Sequence, residues 1–244
     1  MGIIWSSLIS VNIGTVEYLY HQQPIQITPP FFEREPLQVA QSLLGKVIAV
    51  NHGNQWLMAR IIETEAYCRH EKASHSSLGY TEKRKALFMS PGTIYMYYAR
   101  GGDSINFSCR GAGNAVLIKS GYPVARDGDG LTSIISMQNN NPNPDGSKRS
   151  LARLCAGQTL LCKSLGLKVP DWDTRQLKPG LLELWDDDYA PGEIIQTTRL
   201  GIHPERDAHL PYRFIDMRFT HACTKNPRSV RNFQNGKDYT ILQP

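Results

Sequence analysis

A chain of 244 residues, 41% hydrophobic and 20% charged, can bury a full core and is too apolar for global disorder. Its formal net charge of +5 suits a polyanionic partner. The five cysteines (Cys68, Cys109, Cys155, Cys162, Cys223) are odd in number and include no C-x-x-C pair, which argues against a zinc ribbon or disulfide framework and for a reducing compartment.

In chain order, Met1 to Val16 is apolar in patches but has no positive leader and no run long enough to span a bilayer. With the polar, Pro-containing stretch after it, residues 1–30 read as an extension, poorly ordered or docked on the surface; residues 31–244 read as one domain. Phe31 to Gly45 predicts a short helix, with Pro36 in its first turn, Leu37, Ala40, Leu43 and Leu44 as its stripe and Gly45 as its stop. Lys46 to Asn51 and Gln55 to Tyr67 predict a hairpin around His52-Gly-Asn54.

The second of these strands carries the most informative stretch, Arg60-Ile-Ile-Glu-Thr-Glu-Ala-Tyr67. Alternation sets Arg60, Ile62, Thr64 and Ala66 on one face and Ile61, Glu63, Glu65 and Tyr67 on the other. Carboxylates on an otherwise apolar strand are costly unless paired or used, so this strand either edges a cleft or holds internal ion pairs.

Cys68 to Lys85 reads as a polar loop long enough to be functional or mobile. Strands are then expected at Thr93–Tyr98, Asp103–Ser108 and Ala115–Lys119, joined by glycine turns, so the fold class is α+β: a single domain with a curved antiparallel sheet, open and barrel-like, and flanking helices. Leu131–Met137 reads as one or two helical turns and Gln138–Ser147 as a loop, the favoured internal site of disorder. Leu151–Leu165 is helical, with a break plausible at Gly157 and an end at Gly166. Leu181–Trp185, Gln196–Ile202 and Tyr212–Phe219 read as returning strands; the tail from Cys223 has no assignment. Tyr67, His75, Tyr95, Tyr97, Tyr98 and Asn106 all lie in or beside hairpins that start from the Glu65 strand. Flat rings around a carboxylate describe a slot for a flat ligand such as a nucleobase.

Glu63-Thr-Glu-Ala-Tyr67, Ala73-Ser-His-Ser76, Phe88-Met-Ser-Pro-Gly-Thr-Ile-Tyr95, Asn106 with Val116-Leu-Ile-Lys119, Arg199-Leu-Gly-Ile202 and Pro211-Tyr-Arg-Phe214 occur in the order found in the alkyladenine (3-methyladenine) DNA glycosylase family, which the chain resembles over roughly residues 31–220. The resemblance implies a base-excision repair enzyme that flips alkylated or deaminated purines out of duplex DNA. It would hydrolyse the N-glycosidic bond and leave an abasic site. Glu65 resembles the general base that activates water. Tyr67, His75 and Tyr97 resemble the walls around the flipped base, with backbone groups near Ala73 and His75 reading its edge. Asn106 resembles the residue that crowds the 2-amino group of guanine. Lys119 stands where the family often has an arginine that helps hold the water and a phosphate.

Three features depart from the family pattern. The hairpin tip that carries an intercalating tyrosine in well-known members is here the shorter Ala99-Arg-Gly-Gly-Asp103, which makes Arg100 the expected DNA-intercalating residue and Tyr98 the alternative. Lys119 lacks the planar fork of arginine. Gly157-Gln-Thr159 lacks the family's basic pattern. No lysine adjoins Glu65 in sequence, so a monofunctional enzyme is expected. No cofactor is implied, and His70 and His75 lack companions at metal-ligand spacing. The expected partner is double-stranded DNA containing damaged purines, bound by a monomer with no membrane association, inside the cell in a reducing compartment that holds DNA. Two other readings remain open at this level: a non-catalytic binder of damaged DNA, and a glycoside hydrolase that uses Glu63 with Glu65, which a strand sets roughly 6–7 Å apart.

Overall fold

The computed structural model describes residues 16–19, 23–126 and 130–243; the expectation for residues 1–15 and 20–22 lies outside them. The described part of the N-terminal segment adds two short strands to the sheet, β1 (Glu17–Tyr18) and β2 (Ile25–Gln26). Helix α1 (Pro36–Leu43) starts on Pro36, whose missing N–H is no loss in the first turn. Gly45 comes next at φ +86°, and a Cβ there would stand 2.9 Å from the Tyr189 carbonyl oxygen. Only glycine meets both conditions.

Strands β3 (Val47–His52) and β4 (Gln55–Tyr67) form the expected hairpin. The next three are β5 (Ile94–Ala99), β6 (Gly102–Ser108) and β7 (Ala115–Ala125). Then come α2 (Gly130–Asn140), α3 (Leu151–Leu154), α4 (Gln158–Leu165) and α5 (Val169–Trp172), and finally β8 (Leu182–Asp186), β9 (Ile194–Thr197), β10 (Arg213–Asp216) and β11 (Thr240–Leu242). The fold is α+β, with one open sheet in which almost every pairing is antiparallel.

Strand β4 is the axis of that sheet. One of its edges runs along β7 from Met58 to Tyr67; the other is shared, first by β3 opposite Gln55–Arg60 and then by β10 opposite Glu63–Glu65. Residues Leu57 to Ala66 are all buried, so both faces are covered. Thr64 donates to the Ala40 carbonyl of α1 at 2.8 Å, so by alternation α1 lies opposite the face that carries Glu63 and Glu65. Phe32, Leu43, Ile61, Phe107, Ile118, Leu161 and Phe214 belong to one continuous core.

Several expected boundaries shift, each for a local reason. Strand β7 continues past Lys119 through Gly121 and Pro123, residues that disfavour a strand reading. Gly121 is required there because a Cβ would stand 2.9 Å from both Ala59 and Leu161. The helix expected at 131–137 runs on to Asn140, and the Asn-rich stretch after it is tied down by its own side chains: Asn141 reaches the Leu154 carbonyl and Ser164, while Arg149 reaches the Pro142 carbonyl. The break at Gly157 is real, with φ +114°. The strand expected to Ile202 stops at Thr197, because Arg199 leaves the ladder to bind Glu71. The strand expected to Phe219 stops at Asp216, whose carboxylate caps a tight turn through the Arg218 N–H. Helix α5 and strand β11 have no counterpart in the sequence reading.

Beyond the Glu63 and Glu65 face, β4 is fixed by a fully buried pair. Arg60 donates to both oxygens of Asp187 at 2.8 Å and to the Gly45 carbonyl at 2.7 Å. Removing one partner of such a pair strands a buried charge, so Asp187→Ala is expected to lower unfolding free energy by about 3–5 kcal/mol. Lys46→Ala, which breaks the partly exposed pair with Asp186, should cost about 1 kcal/mol or less. Urea denaturation of both variants checks this; equal losses would contradict it.

Candidate active site

Directly opposed residues of a sheet share a face. One such row runs Arg213 of β10, Glu65 of β4, Leu117 of β7, Asn106 of β6 and Tyr95 of β5. A cavity of about 450 Å³ opens on this side, and Tyr67, Ala73, His75, Tyr97, Arg100, Asn106 and Lys119 all line it. Glu65 lies fully buried just beneath that lining, bonded to two of its side chains. Glu65, Tyr67, Ala73, His75, Tyr97, Arg100, Asn106 and Lys119 are therefore all in or directly under one pocket, while Tyr98, the alternative wedge, is not in its lining.

The carboxylate of Glu65 has three contacts. Tyr67 donates its hydroxyl to Oε2 at 2.8 Å, Lys119 Nζ is 3.3 Å from Oε1, and the Leu200 backbone N–H points at Oε1 from 3.4 Å. Burial, reinforced by the adjacent Glu65 charge, pushes the Tyr67 phenol well above its ordinary range, so it stays a donor. Lys119 reaches Glu65 because the β4–β7 register slips twice: the ladder skips Ile62 on one strand and Lys119 on the other. Such bulges re-aim side chains. Here they send Lys119 to Glu65 and its neighbour Ser120 to Glu63 on the same side of β4.

The walls are aromatic. Tyr95 and Tyr97 stack with centroids 5.4 Å apart, and the His75 ring meets Tyr97 edge-on at 4.6 Å. His75 Nδ1 is 3.0 Å from the Tyr95 hydroxyl. Burial, with the charges of Arg84 and Arg206, pushes His75 down, which keeps its ring neutral at pH 7. Asn106 is pinned by donating to the Tyr95 carbonyl at 3.0 Å. Tyr67 is backed by Arg199, whose guanidinium sits 4.6 Å from its ring centroid while gripping Glu71 with two bonds. At the mouth, the β5–β6 hairpin turns on Arg100 and Gly101 alone, both at positive φ (51° and 81°), the tight geometry favoured between twisted strands. Arg100 is exposed at this tip, and Tyr98 projects 63% exposed beside it.

Glu63 has a different environment. Arg213, Ser120 and both the N–H and hydroxyl of Thr224 bind its two oxygens. Burial alone would raise this carboxyl, but Arg213 with the Ser120 and Thr224 hydrogen bonds outweighs it and holds Glu63 below the ordinary carboxylate range. Arg213 also bonds the Lys225 carbonyl, so the unassigned tail is stitched to β10 and brings Thr224 to the cavity wall.

Sequence reading gave no role to several other lining residues, among them Leu200, which acts through its backbone, Gln158, whose Oε1 takes a bond from Lys119 at 3.2 Å, Arg206 and Thr224. Gln158 lies in the stretch that departs from the family's basic pattern and Thr224 in the unassigned tail; Leu200 belongs to a stretch that matches the family but whose role is invisible without the fold. Among the described residues no group of three or more His, Cys, Asp or Glu is placed to hold a metal ion, and no helix is long and apolar enough to cross a membrane.

The model of the methylpurine-DNA glycosylase family matches residues 30–218. A Pseudomonas aeruginosa (strain UCBPP-PA14) protein is 57% identical over 212 residues, covering 87% of this chain and 88% of its own. A Pseudomonas fluorescens (strain Pf0-1) protein is 54% identical over 228 residues, covering 93% and 98%. A Rhizobium etli protein is 33% identical over 190 residues, covering 75% and 82%. Each of the three is described as "Putative 3-methyladenine DNA glycosylase".

The Glu63 cluster has a pH signature. Its lowered folded-state pKa stabilises the fold above the unfolded value of about 4.3, and that stabilisation is lost as pH falls through the folded value. Glu63→Gln, which leaves Arg213 buried without its counter-charge, should cost about 3–5 kcal/mol at pH 7. The gap from wild type should shrink as pH drops below about 4.3. Denaturant titrations from pH 7 to pH 3 measure it; a pH-independent gap would contradict the assignment.

Proposed function

Because the chain belongs to the methylpurine-DNA glycosylase family, and is thereby a DNA-repair glycosylase of the 3-methyladenine type, we propose that it flips alkylated or deaminated purines out of duplex DNA and hydrolyses their N-glycosidic bonds. The observation that carries this reading is the setting of Glu65. A carboxylate offers about four lone-pair sites, and the contacts of Glu65 use two on Oε1 and one on Oε2. The remaining site on Oε2 is the one that takes the proton of the attacking water. The carboxylate also favours the oxocarbenium-like sugar as the bond to the purine breaks.

The flipped base lies between Tyr67 on one side and His75 and Tyr97 on the other. Aromatic faces attract the cationic ring of a 3- or 7-alkylated purine, and a neutral His75 adds no opposing charge. Backbone groups at Ala73 and His75 read the edge of the base, while Asn106, held by the Tyr95 carbonyl, crowds a 2-amino group. Arg100 fills the gap in the duplex from the hairpin tip. Water, not an amine, attacks C1′, so base release is the hydrolysis of a monofunctional glycosylase. The proposed partner is double-stranded DNA containing damaged purines, bound by a monomer. Five buried, unpaired cysteines suit a reducing, DNA-containing compartment inside the cell. The alternative of two working carboxylates lacks its second member, since Glu63 is taken up by Arg213, Ser120 and Thr224.

Single-turnover base release on duplexes with one hypoxanthine, ethenoadenine or 7-methylguanine tests the reading. Wild type should release base from at least one of these duplexes. Glu65→Gln should bind the same duplex and release it at least ~100-fold more slowly. Equal release by both proteins would remove Glu65 from its role, and binding without release by the wild type would favour a damage-binding protein. In the same assay Arg100→Ala should weaken affinity for the lesion duplex; unchanged affinity would move the wedge to Tyr98.

A further inference from the structure

The reaction proposed above leaves an abasic sugar over Glu65, and the inference here rests on that reading. No lysine adjoins Glu65 along the chain, but folding brings one there from β7. Lys119 Nζ lies 3.3 Å from Glu65 Oε1, its side chain is 13% exposed, and it lines the cavity. An arginine in this position would supply charge alone, since a guanidinium does not give up its proton in proteins. A lysine amine is also a nucleophile toward carbonyl carbon once deprotonated. The abasic sugar presents such a carbon, because its ring opens to an aldehyde at C1′. If Glu65 directs water to C1′, an amine bonded to the same carboxylate is within reach of the same atom.

We infer that Lys119 gives the protein a second, slower activity, in which it forms a Schiff base with the abasic product and drives β-elimination at the 3′ side. Lys119 passes one ammonium proton to the Glu65 carboxylate beside it, and the neutral amine adds to the C1′ aldehyde to give a carbinolamine; the carbinolamine hydroxyl takes that proton back from Glu65 and leaves as water, giving a protonated imine. Glu65 then takes a C2′ proton. The electron pair left behind forms the C2′–C3′ double bond as the C3′–O bond breaks and the 3′ phosphate departs with its oxygen. Water hydrolyses the conjugated imine, releasing an unsaturated aldehyde on the 5′ fragment and returning Lys119 as the free amine. The sequence is an elimination with no net oxidation or reduction, so it requires no further reagent. Because the resting ammonium is paired with Glu65 and bonded to Gln158, the amine must first lose a proton, and this step comes after base release without competing with it. Base release remains the hydrolytic reaction proposed above, and the abasic product becomes a second substrate.

The test uses the full chain and a 5′-labelled duplex with one preformed abasic site, made by excising uracil, treated with sodium borohydride to reduce any imine. Wild type should form a covalent protein–DNA adduct whose tryptic fragment maps to Lys119. Lys119→Arg, checked for folding by its thermal melt, should lower adduct yield about tenfold or more. Without borohydride, wild type should nick the strand on the 3′ side of the abasic site. No adduct, an adduct mapped to another amine, or an undiminished yield from Lys119→Arg would overturn the inference. Lesion duplexes assayed in parallel separate the two claims: base release without an adduct removes only the Schiff-base step, whereas an adduct on abasic DNA without release from any lesion removes the glycosylase reading.

Discussion

Two carboxylates two residues apart on one buried strand repel each other, by about 2–3 kcal/mol at 6–7 Å in an effective dielectric of 20. Both must also be taken out of water. The surroundings of β4 meet this constraint by giving each its own cation: Arg213 from β10 for Glu63, and Lys119 from β7 for Glu65. The two cations arrive from opposite edges of the strand, which is why β4 has to be paired on both sides at this level.

That arrangement divides the labour. Glu63 is saturated, with guanidinium, hydroxyls and a backbone N–H on its two oxygens, and it knits the C-terminal tail to the sheet. Glu65 has fewer partners, Tyr67, Lys119 and the Leu200 N–H, and lies beneath a cavity. The same logic extends outward. Arg199 leaves the sheet to grip Glu71, which sets the 68–79 loop and backs Tyr67, while the next residue, Leu200, points its N–H at Glu65. The loop that supplies Ala73 and His75 is thereby coupled to the strand that supplies the carboxylate.

Much of this was legible in the residues themselves. The hairpin ending in Gln55–Tyr67, the break at Gly157 and the choice between a cleft edge and internal ion pairs for the strand of Glu63 and Glu65 all come from local rules of alternation, glycine conformation and burial cost. What stayed hidden depends on contacts between distant segments. The double slip between β4 and β7 leaves no mark in Val116-Leu-Ile-Lys119, yet it decides where Lys119 points. Leu200 contributes only a backbone N–H, and Thr224 acquires its place through Arg213, eleven positions away in sequence. A search for a lysine next to Glu65 along the chain could not find one that a neighbouring strand delivers.

The central claim is that Glu65, held by Tyr67, Lys119 and Leu200, is the group that works on C1′ of a flipped nucleotide. A crystal structure of the wild-type protein with a duplex carrying a pyrrolidine in place of the sugar, a cationic mimic of the developing charge, tests it most directly. The pyrrolidine should be rotated out of the helix, with its nitrogen linked through one water to Glu65 Oε2 and Arg100 or Tyr98 in the vacated space. A pyrrolidine left stacked in the duplex, or seated in the cavity away from Glu65, would contradict it.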